Sequence, residues 1–447
     1  MSELTAGQVV DPRQTAASMT DAITGIVLHP GARLWWWAAF IPSVLLLSIG
    51  CASAAWEFRW GIDVWGNDWP VMWGFPILSY VWWIGIASGG TFISAMFYLL
   101  RVEWRTSLNR LAESMTLFAA ACAGVYPILH LGRPWFAYWL FPYPGTMNLW
   151  PQFRSPLFWD FCALFAYVLC SVMFWYLGLI PDLATVRDRA RRRPAQIMYG
   201  VMALGFRGSG REWRHFRAVY GVLAAMMAPL VVSVHSIVGL DFAGAQTVGW
   251  HSTQFPPFFV FGAVHSGFAA VLFLAIPLRS LLGLQAFITP RHLDVLGRLM
   301  LTSALCVGYA YMMDAFSTYY GWDAAEHRWF DDRITGTYAS VYWATILLNV
   351  ALPQVLWSRT LRLNRVLLMV IAAGVIAGMW LERYDIVVDS LHRSQLPSAW
   401  GNFAGTIWDW TLFGGTVGLF FTGFLLFVRL LPVISMFEMR ELIGRRR

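Results

Sequence analysis

Residues 101–135 read RVEWRTSLNRLAESMTLFAAACAGVYPILHLGRPW, and the fold of the chain follows from reading them in order. Arg101, Arg105 and Arg110 come first. An apolar run over 111–131 follows, long enough as a helix to cross the hydrocarbon core of a bilayer. The run closes on His130, and Gly132-Arg133-Pro134 ends the helix. Arginines at one end of a span mark the cytoplasmic side, so His130 sits at the outer end. Pro127 bends the last turn and gives the imidazole a way to turn inward. A histidine capping a helix C-terminus, where the dipole welcomes positive charge, is the equally simple alternative.

The same unit recurs along the chain. Apolar stretches run over 34–56, 71–99, 111–131, 157–179, 218–240, 257–281, 296–318, 338–357, 364–381 and 408–431, which predicts an all-α integral membrane protein of ten spans. The ninth is the shortest. The second is long, so it is expected to tilt or project, with Gly85, Gly89 and Gly90 allowing close helix packing. Alternate loops carry the arginines: nine lie between Arg187 and Arg217, then Arg291 and Arg298, then Arg359, Arg362 and Arg365, and finally Arg445–Arg447. The intervening loops are neutral or acidic. Both termini are therefore expected on the cytoplasmic side, with the 132–156 and 382–407 loops facing out. The expected organisation is an N-terminal tail over 1–33, a membrane domain over 34–431 and a C-terminal tail over 432–447.

Composition agrees. The chain has 447 residues, is 58% hydrophobic and 13% charged, and carries 26 Trp and 16 Tyr. Soluble domains hold about twice that charged fraction, and such rings favour the membrane–water interface. The net charge of +7 is spread over alternate loops, not gathered on one face, so it reads as topology and not as nucleic-acid binding. The five cysteines all fall inside apolar segments without a C-x-x-C, which argues against a haem c, iron–sulfur or zinc-ribbon site in this chain. Residues 1–33 lack the pattern of a cleaved signal peptide and read as a short soluble tail.

His130, Asp160, Asp241 and Arg383 each lie within about a turn of a span's outer end. A bilayer tolerates ionisable groups there when they line a polar cavity, pair or do chemistry. Asp160 opens span four, where a carboxylate also simply suits the helix dipole. Spans three and four are joined on the outer side, so His130 and Asp160 are expected as neighbours, an imidazole and a carboxylate able to take protons from a hydroxyl-bearing ring. Arg383, with Glu382, Tyr384 and Asp385 around it, is either an anchoring ion pair or part of the same pocket. His235 and His265 lie deeper, in spans five and six. They are read as hydrogen-bonding residues between helices in preference to haem b ligands. Glu113 near the inner end and Asp314 near the outer end, with His235 and His265, are the stations a proton path would use. They do not assemble into a chain across the membrane from sequence alone. A secondary transporter is the rival class, but its site typically lies near the midplane at broken helices. A passive structural anchor is the other.

At WWIGIASGGTFISA (82–95), HLGRPWFAYWLFPYPGTMNLWPQFRSPLFWDF (130–161), VVSVHSIVGLDFAGAQTVGWHSTQFPPFFVFGA (231–263) and ERYDIVV (382–388), the chain resembles the NrfD-like family of polysulfide reductase membrane subunits. Within it the similarity is greatest to the quinol-oxidising ten-helix membrane subunit of bacterial alternative complex III. The resemblance implies two four-helix bundles, spans two to five (about 71–240) and six to nine (about 257–381), flanked by two outer helices. It implies a quinol, menaquinol or ubiquinol, held near the periplasmic face of the bacterial inner membrane. His130, Asp160 and Asp241 match the family's quinol-site positions, with Arg383 and Tyr384 as further binding residues. No metal, haem or iron–sulfur cluster is implied in this chain. The [3Fe-4S] and [4Fe-4S] clusters and haem c would belong to partners: a periplasmic iron–sulfur protein, multihaem and monohaem cytochromes c, a second NrfD-like chain and small membrane subunits, all amid lipid. The alternative is the quinone-coupled anchor of a polysulfide-reductase-like molybdoenzyme. Related sequences often have a histidine before the glycine of the span-two motif, where this chain has Ser88.

Overall fold

Among the residues that the computed structural model describes, ten helices are long and apolar enough to cross a membrane: α1 (Leu34–Trp60), α2 (Phe75–Leu99), α3 (Asn109–His130), α4 (Phe158–Arg189), α5 (Gly210–Ala243), α6 (Phe255–Leu281), α7 (Pro290–Gly321), α8 (Ala339–Trp357), α9 (Arg365–His392) and α10 (Ile407–Leu430). The structure describes residues 8–29, 31, 34–68, 70–140, 156–393 and 396–445, and among these there is no strand. The fold is all-α and membrane-spanning. The stretch 141–155, inside the loop expected to face out and the 130–161 motif, lies outside the described residues, as do the last two arginines.

α2 is the axis of the assembly. Nearly all of it is buried, as a helix apolar on every side must be. It packs against α3, α5, α6 and α9. Gly89 lies so close to Gly267 of α6 that a Cβ on either would overlap the other's Cα. Small residues at a crossing let helix backbones approach, and here they bring α2 against α6. α1 and α10 pair through Gly50 and Gly415 in the same way, and α10 also touches α3. The second span begins at Phe75, and within it Phe92–Met96 form one wide turn.

Several helices run past the ends read from hydropathy, and three stretches differ in kind from the sequence reading. α9 does not stop at residue 381 but runs to His392 through a wide turn at Asp385–Asp389. Glu382, Arg383 and Asp385, which looked like the start of a loop, are each paired within the protein, so they continue the helix. The N-terminal stretch is no loose tail. Helix Ala16–Leu28, opened by a Thr15 capping box, buries Met19, Ile23, Ile26 and Val27 on one face, and Val9 and Val10 before it are buried too. The C-terminal stretch likewise folds as helix Met436–Gly444, packed on Ala16–Leu28. Asp182 near the end of α4 accepts from the backbone N–H groups of Met436 and Phe437, both at 3.1 Å, which satisfies two of the free donors of that helix. Both ends of the chain thus meet at one end of the helix stack. α3, α5, α7 and α9 finish at the other.

Candidate functional site

That opposite end carries the polar residues named from the sequence. Asp160, one turn into α4, is buried, and the Tyr80 hydroxyl of α2 donates to its Oδ2 at 2.5 Å. Asp241, at the end of α5, lies within electrostatic reach of Asp160 and Tyr80. Among the described residues Asp160 Oδ1 and Asp241 Oδ1 are buried without a hydrogen-bond partner. Two carboxylates and a phenol therefore converge where α2, α4 and α5 come together. Buried polar groups left in this state are uncommon in folded proteins and mark places where a ligand or proton completes the set.

His130 is half-buried at the end of α3. Its ring lies parallel to the Trp65 ring, with centroids 6.1 Å apart, and its Nδ1 is likewise unpartnered among the described residues. α3 packs against both α2 and α4, so His130 ends at the same end of the stack as the carboxylates, but the partner of Asp160 is Tyr80 and not His130. Sequence reasoning missed Tyr80. Tyr80 lies in the second turn of α2 among apolar residues, where nothing in the sequence separates it from a core or interface tyrosine.

Arg383 and Tyr384 sit elsewhere. The Arg383 guanidinium lies 4.2 Å over the Phe259 ring of α6, and its Nη1 is 2.9 Å from Glu382 Oε1, an ion pair without hydrogen-bond alignment. Tyr311 of α7 donates to the other Glu382 oxygen and accepts from Asn349 at 3.1 Å. Tyr384 packs on Tyr338, Trp380 and Phe403. Both belong to the helices of the second half of the chain.

The four possible proton stations are likewise dispersed. Glu113 lies at the far end of the stack, bonded to Arg110 at 2.8 Å and to the Tyr220 hydroxyl at 2.9 Å, while Arg110 also reaches Asp182. His265 Nδ1 is 2.8 Å from Ser303 of α7. His235 is fully buried beside Gly85 and Ser266, and neither ring nitrogen has a partner among the described residues. Asp314 accepts from Arg333 at 2.9 Å. No hydrogen bond among the described residues joins any two of the four. Between the two ends of the first half, Thr91, Thr116 and Tyr167 form a hydroxyl cluster, with Thr91 and Tyr167 2.6 Å apart.

An open pocket of about 410 Å³ lies at the same end as Asp160, in the second half. Gln254, Phe258, Tyr311, Asp314, Trp329 and Arg333 line it; His130, Asp160 and Asp241 do not. Arg333 binds Asp385 and Asp314 together and stacks on Trp329 and Tyr342. Burial opposes its charge, but the carboxylates of Asp385 and Asp314 outweigh that cost, and its pKa is raised. Its side chain acts as a rivet between elements.

Residues 63–393 match the family described as polysulphide reductase, NrfD. Over 385 residues the chain is 28% identical to a protein assigned as a membrane subunit of dimethyl sulfoxide reductase in Halobacterium salinarum, covering 83% of this chain and 82% of that one. Over 387 residues it is 22% identical to a selenate reductase subunit of Mesobacillus selenatarsenatis, covering 81% and 86%.

Proposed function

The chain belongs to the polysulphide reductase NrfD family, and we propose that its part in a redox complex is to bind quinol at the outer ends of α2–α5 and oxidise it. Membership makes it a multi-pass inner-membrane subunit of a redox enzyme assembly. The observation that carries the further step is the convergence of Tyr80, Asp160 and Asp241, with unpartnered buried oxygens, at the end of the stack where His130 closes α3. Quinol hydroxyls are weak acids, so losing an electron is eased when each proton has an acceptor in place. His130 takes one hydrogen bond and Asp160 the other, Asp241 passes a proton outward, and the electrons leave to a hydrophilic protein docked on that face. The α2–α5 and α6–α9 neighbour relations support two four-helix bundles, and the arginine pattern supports a periplasmic site with both termini cytoplasmic.

Both relatives are named as subunits of reductases, which favours the reading as quinone-coupled anchor of a molybdoenzyme that reduces an oxidised sulfur or oxyanion compound. The ten spans and the 231–263 motif favour the second reading, a complex III type that delivers electrons towards cytochrome c. The co-purifying proteins separate the two: a molybdopterin enzyme supports the first, and a haem c spectrum the second. In either assembly, His130→Ala and Asp160→Asn are each expected to lower quinol-driven electron transfer by about 10²–10⁴, the range for lost acid–base groups. Full turnover in both variants would remove the assignment.

A further inference from the structure

We propose that Asp332, Asp389 and His392 form a binding site for one divalent transition cation of the Zn²⁺ or Mn²⁺ kind. Asp332 lies in helix Ala324–Thr335 of the α7–α8 connection, and the other two lie at the end of α9. A ligand atom from each falls within 4.8 Å of the others.

The chemistry of His392 is the first argument. Its Nδ1 is 2.7 Å from the Asp389 backbone carbonyl, an acceptor only, so Nδ1 carries the proton and donates. In the neutral ring Nε2 is then a bare lone pair. It lies 3.3 Å from Asp332 Oδ2, without hydrogen-bond alignment. A lone pair facing a carboxylate oxygen is repulsive unless a positive charge lies between them. Two ligands bound to one tetrahedral zinc at its usual bond lengths stand about 3.3 Å apart. A backbone carbonyl holding the far nitrogen is also the usual way a metal-binding histidine is oriented. The Tyr338 ring, edge-on at 4.8 Å, fixes the imidazole further.

Asp389 supplies an independent argument. It is 1% exposed, and neither carboxylate oxygen has a hydrogen-bond partner among the described residues. An ionised carboxylate buried in this way is costly unless it is paired or coordinates a metal. The arginines nearby are already engaged, Arg393 with Asp332 Oδ1 and Arg333 with Asp385 and Asp314. Four carboxylates thus face two guanidinium groups, a deficit that one divalent cation cancels. Two carboxylates and one imidazole suit Zn²⁺ or Mn²⁺ better than the all-oxygen shells of Ca²⁺ or Mg²⁺. Such an ion clamps the outer end of α9 to the α7–α8 connection, beside the pocket that Arg333 and Ser390 help to line.

The assembled complex, purified without a histidine tag, is dialysed against EDTA, and Zn²⁺ or Mn²⁺ is added back and measured by elemental mass spectrometry. About one equivalent per chain is expected to be held, as for a built structural site. Chelation should lower the melting temperature, and Zn²⁺ or Mn²⁺ but not Mg²⁺ should restore it. Asp389→Asn and His392→Ala should each lose the equivalent, whereas His251→Ala, an exposed histidine elsewhere, should keep it. A wild-type melting temperature indifferent to both chelator and metal would overturn the proposal, whether or not the variants fold. So would an equivalent that survives Asp389→Asn.

Discussion

The Tyr80–Asp160 hydrogen bond is the contact on which the proposed site turns. It buries a phenol against a carboxylate whose second oxygen stays unpartnered among the described residues. If Asp160 receives a quinol proton, Tyr80 positions it and moderates its charge without touching the reacting hydroxyl. Tyr80→Phe should therefore lower quinol-driven turnover by about fivefold, the scale of one lost hydrogen bond of ~1 kcal/mol, far less than Asp160→Asn. It should also shift the pH profile of turnover, which a purely structural role would leave in place; an unchanged profile counts against the reading. His130, Asp160 and Asp241 were legible as candidates because an ionisable residue at the end of an apolar span stands out. Tyr80 was not, because a tyrosine in an apolar run also suits the interface belt or the core. Pairing was hidden for the same reason: spacing along one chain does not say that a carboxylate in the first turn of α4 meets a hydroxyl in α2.

At the scale of elements, α9 shows where pattern reading stops. Hydropathy ends at Glu382-Arg383-Tyr384-Asp385, yet the helix continues to His392 because those charges find partners in the fold: Arg383 pairs with Glu382, which also accepts from Tyr311, and Arg333 pairs with Asp385. A charge count along the sequence sees the cost of burial but not the counter-charge that removes it. Arg333 makes the test. Its loss strands Asp314 and Asp385, both tied to it, and breaking a buried pair from one side costs about 3–5 kcal/mol. Arg333→Gln should thus lower the melting temperature sharply. Arg333→Gln with Asp385→Asn should recover much of it, because the more deeply buried of the two carboxylates is then neutral. A double variant as unstable as the single would show that Arg333 acts by packing on Trp329 and Tyr342 instead. The docked terminal helices follow the same logic: the Met19, Ile23, Ile26 and Val27 stripe was present in the sequence, but a short apolar stripe declares itself only when another surface is there to receive it.

Across the whole molecule, polar groups are divided between the two ends of the stack. Glu113, Arg110, Asp182 and Tyr220 form a paired network at one end, beside the docked C-terminal helix, and Asp160 and Asp241 lie at the other. The ten spans that separate them were legible from hydropathy; the interior route between them was not, since hydroxyls such as Thr91, Thr116 and Tyr167 are ordinary in an apolar helix. That separation bears on where protons go. A site at the outer end releases both quinol protons outward without carrying them across the bilayer. Moving extra protons from inside works against roughly 2.3 kcal/mol per charge for each 100 mV, and needs a continuous route with an element that switches as quinol is oxidised. Glu113 is held by Arg110 and Tyr220, and no hydrogen bond among the described residues links it to His235, His265 or Asp314. The expected outcome is release by the chemistry alone. Proteoliposomes holding the complex with its periplasmic face outward, given quinol and the oxidised acceptor, should acidify the medium by the two protons of each quinol, less any consumed by the acceptor. Glu113→Gln should leave that ratio unchanged even if it weakens the fold. Reproducible uptake of internal protons beyond those consumed by the chemistry, abolished by Glu113→Gln or Asp314→Asn, would show instead that the two ends are connected during turnover.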